Sequence, residues 1–81
     1  EILEAMGLLG RHCGIFGEPA GVAGTAGLKK ALEEKLIPSS ASAVSIVTGN
    51  GLKDIANAQK AAGSYISIPP DMNQLLKALK I

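Results

Sequence analysis

The sequence predicts an α/β fold, with parallel strands inside and helices packed over their faces. Three observations carry this. Two short runs, Ala43–Val47 and Tyr65–Ile68, are apolar enough to be strands of a buried parallel sheet. Helical apolar spacing fills the stretches around them, giving the order helix, helix, strand, helix, strand, helix. The connection between the two runs is long enough to cross over, as parallel pairing requires.

Taken in order, Ile2, Met6, Leu9 and Cys13, joined by Leu3, share one face of a helix over about residues 1–12, ended by the glycines at 10 and 14. After the link Ile15–Phe16–Gly17, Glu18–Pro19 opens a second helix. Proline suits a first turn because its missing N–H would be unpaired there. This helix should run to about Leu36 and stop before Pro38. Gly21, Gly24 and Gly27 sit three apart within it. Each interior glycine costs about 0.8–1.0 kcal/mol relative to alanine, so the stripe implies that bulk is excluded from that face. Further on, Leu28, Leu32 and Leu36 should face inward, with Lys29, Lys30, Glu33, Glu34 and Lys35 in solvent. Ser39–Ser42 is a polar loop before the first strand. Asp54 can cap a short helix over about residues 55–62, stopped by Gly63. Pro69–Pro70 breaks the second strand, and Asp71 caps a last helix carrying Leu75, Leu76 and Leu79.

Composition bounds the function. The chain has 81 residues, 47% of them apolar, with one Tyr, one Phe and no Trp. At this size a chain buries only about 60% of the surface its unfolded form exposes. An Ala-, Ile-, Leu- and Val-based interior of this extent reads as a slice of an α/β layer rather than a self-sufficient domain. The opening at Glu1, without Met, leads to the same expectation. Net charge is +1, which supplies no strong field for nucleic acid or a membrane surface. No run approaches the roughly 18 apolar residues of a membrane helix. Cys13 stands alone, so no internal disulfide is expected, and it is read as a buried thiol with His12 at the helix end.

The informative segment is Ser45–Ile46–Val47–Thr48–Gly49–Asn50–Gly51–Leu52–Lys53–Asp54. An apolar run enters a Gly-rich polar turn, and ligands in open α/β sheets bind beyond the carboxyl ends of strands. Thr48 supplies a hydroxyl and Asn50 an amide of either polarity. Gly49 and Gly51 let backbone approach a ligand or take positive φ. The same residues equally suit a tight turn with Asn50 in a left-handed conformation and no ligand. Other motifs fail. Asp54 stands where a dinucleotide fingerprint needs its third Gly, and no Gly-Lys-Ser/Thr phosphate loop occurs. His12 and Cys13 alone do not make a metal site, and Lys53 reads as a turn lysine with a solvated or structural role.

Two runs together, Gly14–Ile15–Phe16–Gly17–Glu18–Pro19–Ala20–Gly21–Val22–Ala23 and Ile46–Val47–Thr48–Gly49–Asn50–Gly51–Leu52–Lys53–Asp54, resemble the C-terminal third of the threonine synthase family. The Thr-Gly-Asn-Gly-Leu-Lys stretch is the discriminating part, because related dehydratases carry Ser-Gly-Gly-Asn or Ser-Gly-Ala-Asn there. Glu-Pro-Ala-Gly is shared more widely. The resemblance extends from about residue 14 to the end and is weakest over the last strand and helix.

The resemblance implies a pyridoxal-phosphate enzyme of fold type II, the tryptophan synthase beta-subunit-like group. Residues 1–81 would be the C-terminal portion of its large, three-layer cofactor domain, with no complete independent domain. Thr48 would face the pyridine nitrogen, with Gly49 and Asn50 beside it as cofactor-binding residues. The implied reaction converts O-phosphohomoserine and water to threonine and phosphate. The cofactor's covalent lysine, the phosphate loop and the mobile small domain would lie upstream, so this chain alone is expected to be inactive. Its expected partners are the remainder of the same enzyme and, in a homodimer, a second copy, with no nucleic acid or membrane, in the cytoplasm or a plastid. The alternatives are a serine/threonine dehydratase, a threonine-synthase-like paralogue, and a non-catalytic α/β module.

Overall fold

A computed structural model describes residues 1–80. Among the described residues four helices form, α1 (Ile2–Cys13), α2 (Pro19–Glu33), α3 (Ile55–Ala62) and α4 (Met72–Leu79), with a 3-10 turn at Gly51–Lys53. α1 and α2 make an antiparallel hairpin and α3 packs on α1. Charges show the antiparallel sense, since Glu4 and Glu1 near the start of α1 reach Lys29 (3.1 Å) and Lys30 (3.5 Å) near the end of α2. The core is small. Ala5 and Met6 of α1 meet Val22 and Ala26 of α2, and these four are the buried apolar side chains among the described residues.

The helix boundaries follow from local chemistry. α1 ends because Gly14 takes φ +66°, turning its N–H back to the Leu9 carbonyl. α2 starts on Pro19, as expected, but stops at Glu33 rather than Leu36. Lys35 adopts φ +58°, and the Leu36 N–H returns to the Ala31 carbonyl at 2.9 Å, which closes a Schellman turn without glycine. Asp54 caps α3 by accepting from the Asn57 N–H at 3.2 Å, and Asp71 caps α4 by accepting from the Asn73 N–H at 2.8 Å.

The predicted parallel sheet does not form, and with it the three-layer α/β expectation is overturned: the chain is helical, and among the described residues its one β-type pairing is an isolated antiparallel bridge between Gly17 and Asn50. Ala43–Val47 and Tyr65–Ile68 have no regular structure. A strand needs a neighbour for its N–H and C=O groups, and β-branched residues favour strands through packing on such neighbours. Neither run has one here. The first lies along α2, and the second is exposed, Tyr65 by 89%. Two further expectations fail for want of a partner. Cys13 is exposed, at the open corner of the hairpin. Leu32 and Leu36 are exposed because α2 overhangs the start of α1, which meets it at Lys29 and Lys30.

Candidate functional site

The link 16–18 and the turn 48–51 are zipped together by backbone. The Glu18 N–H donates to the Gly49 carbonyl (3.2 Å), and the Gly51 N–H donates to the Phe16 carbonyl (3.0 Å). Glycine is required on both sides of this clasp. Gly49 holds φ +69°, and a side chain there would run into the Glu18 carboxylate. Gly51 is buried beneath the Phe16 ring, which occupies the place of its missing Cβ. A Cβ on Gly17 would come within 2.7 Å of both Val22 Cγ1 and Val47 Cγ1. The Asn50 Oδ1 accepts from the Leu52 N–H at 2.8 Å and so starts the 3-10 turn. Asn50 is not left-handed, having φ −82° and ψ 147°; the positive φ falls on Gly49 instead.

The segment before the turn is seated on α2. The Thr48 backbone rests directly on Gly21, whose missing Cβ would coincide with the Thr48 carbonyl oxygen. One turn along, Thr25 and Ser45 share a 2.8 Å hydroxyl hydrogen bond, and a Cβ on Gly24 would lie 3.8 Å from the Ser45 Oγ. The glycine stripe therefore does mark a close approach, but only in part: Gly21 is indispensable, Gly24 is permissive, and nothing lies within 4 Å of a Cβ on Gly27.

The three residues singled out from sequence thus fall on one surface turn, with unequal chemistry. Thr48 is exposed while its backbone is pinned. Asn50 has its oxygen committed to the Leu52 N–H, leaving its NH2 as the free polar end. Gly49 gives its carbonyl to Glu18. Two neighbours went unread in the sequence, Phe16 and Glu18, whose ring and carboxylate cover Gly51 and Gly49. The signal available was the pairing of two Gly-containing runs, which becomes informative only once they are known to touch. Asp54 is spent on capping α3. Its carboxylate accepts from the Asn57 side-chain amide (2.8 Å) and backbone, and these bonds hold it below the ordinary carboxylate value. Among the described residues no group of three His, Cys, Asp or Glu side chains could hold a metal ion, and no helix is long and apolar enough to cross a membrane.

No family model matches the chain. Curated proteins do. A threonine synthase of Methanocaldococcus jannaschii is 50% identical over 80 residues, covering 99% of this chain and 20% of that protein. One from Synechocystis is 40% identical over 81 residues, covering 98% of this chain and 21% of its own length. One from Mycobacterium tuberculosis is 44% identical over 71 residues, covering 88% and 20%. The chain spans about a fifth of the length of the curated relatives it matches, at their C-terminal end. Along its whole length it is homologous to a threonine synthase segment.

Proposed function

We propose that this chain, homologous throughout to a threonine synthase segment, serves a pyridoxal-phosphate lyase that turns O-phosphohomoserine and water into threonine and phosphate. Identity of 50% over 80 residues to a protein of that name is the observation that carries the reading. Pyridoxal phosphate, when bound, supplies an electron sink that stabilises negative charge next to the amino-acid carbon.

The residues present fit that group on one side. Thr48 offers a neutral hydroxyl at the surface, on a backbone fixed by Gly21 and, one residue on, by the Glu18–Gly49 hydrogen bond. A hydroxyl can donate to an unprotonated pyridine nitrogen, which leaves the ring less electron-withdrawing than a carboxylate partner would. Gly49 and Asn50 would flank the ring, Asn50 through the NH2 its cap leaves free. Phe16 packs over Gly51 at the base of the turn and leaves that glycine buried. The covalent lysine, the phosphate anchor and the groups that select substrate belong, on this reading, to the remainder of the enzyme, the chain's principal partner.

Replacing Thr48 by Val in the intact enzyme removes the hydroxyl and nearly keeps the shape. Cofactor affinity should fall by the worth of one hydrogen bond to a buried polar partner, about 1–3 kcal/mol, and turnover should fall with it. Equilibrium titration with pyridoxal phosphate measures this. Unchanged affinity and rate would remove Thr48 from the site.

A further inference from the structure

We propose that Gly21 is a positioning residue for the Thr48 contact: the bare Cα on α2 is the seat that sets where the Thr48 hydroxyl stands. The proposal rests on the reading of Thr48 as the cofactor contact and adds a residue that touches no ligand. An added Cβ would lie 2.7 Å from the Thr48 carbonyl carbon and 3.3 Å from its nitrogen, and would coincide with the carbonyl oxygen. All three are backbone atoms, so no side-chain rotation relieves the clash. Thr48 has little room to retreat. Immediately after it, Gly49 is tied to Glu18 and Gly51 to Phe16 by backbone hydrogen bonds. Immediately before it, Val47 packs on the buried Gly17. Three residues earlier, Ser45 is held to Thr25 on the same helix. A methyl group at position 21 must therefore lift Thr48 out of line while its neighbours stay anchored. Gly27, on the same helix, has open space and serves as the control.

The test compares Gly21→Ala, Gly27→Ala, Thr48→Val and the double variant Gly21→Ala/Thr48→Val in the intact enzyme. The readouts are the pyridoxal-phosphate dissociation constant and the wavelength of the cofactor's visible absorption band, which reports the surroundings of the ring and which a loss of stability alone leaves in place. Gly21→Ala should weaken cofactor binding about tenfold, the scale of one lost hydrogen bond. It should also move the band in the same direction as Thr48→Val, while Gly27→Ala does neither. The double variant should bind no more weakly than Thr48→Val, because Gly21 acts through Thr48. Should Gly21→Ala not yield folded enzyme, Gly17→Ala gives a milder displacement through Val47. It should show a smaller loss with the same direction of band shift, partly restored by adding Val47→Ala. Losses that simply add in the double variant, or a Gly21→Ala enzyme with unaltered affinity and band, overturn the proposal while a damaged Thr48→Val enzyme leaves the reading of Thr48 standing. An unaffected Thr48→Val enzyme overturns both.

Discussion

At the scale of single residues, the chain's few strong constraints are glycines: Gly21, whose missing Cβ is replaced by the Thr48 backbone, Gly51, covered by the Phe16 ring, and Gly49, which holds a positive φ. The spacing of Gly21, Gly24 and Gly27 announced a close approach, but not which glycine would carry it, because that depends on where the distant segment ending in Thr48 is laid down. Acid provides a second residue-scale test. Asp54 lies below its ordinary value of 3.8, first because the Asn57 side chain donates to it, then because the Asn57 backbone does. Glu4 lies below its ordinary value of 4.5, first through its hydrogen bond from Lys29, then through that lysine's charge. A depressed carboxylate contributes stability that is fully present above its unfolded value and lost as pH falls through the folded one. Helicity followed by circular dichroism should therefore hold from pH 7 to about 5 and decline below about 4, with Asn57→Ala moving the α3 part of the decline to higher pH. A decline already complete at pH 5 would contradict these assignments.

At the scale of elements, helices were legible and strands were not, for a single physical reason. A helix satisfies its own hydrogen bonds and carries its punctuation in sequence. Pro19, Asp54, Gly63 and Asp71 each stand where a boundary was expected and found. Ala43–Val47 has the composition of a strand, yet pairing depends on a neighbour that local composition does not reveal. The same limit explains Leu32, Leu36 and Cys13, which lie on predicted apolar faces that extend past the packed partner. The early end of α2 was hidden because its left-handed position holds Lys35 instead of glycine. An L side chain in that conformation costs roughly 1–2 kcal/mol. Lys35→Gly should therefore stabilise the end of α2 by about 1 kcal/mol, offset in part by the freer unfolded chain, and a thermal or urea melt measures it. A lower melting temperature would mean that the Leu36–Ala31 closure is not what ends the helix.

At the scale of the whole molecule, the shape is that of a segment. Its extents are 50 × 28 × 17 Å and its radius of gyration is 16.5 Å, against about 12 Å for a compact chain of this length. Its accessible surface is 6199 Å², where a compact protein of this mass exposes about 4,500 Å². α3 and α4 bury no residue completely, and Val44, Ile46, Tyr65 and Ile66 are largely in solvent. Under the proposed function these surfaces face the remainder of the enzyme, and the chain alone neither holds the cofactor nor turns over. The most direct measurement is a graft. The homologous fifth of the Methanocaldococcus jannaschii threonine synthase is replaced by this chain, and threonine and phosphate formed from O-phosphohomoserine are measured beside the isolated chain. The graft should bind pyridoxal phosphate and make threonine, Thr48→Val within it should impair both, and the isolated chain should do neither. A folded graft that binds no cofactor and makes no threonine, or an isolated chain that does both, would contradict the proposed function.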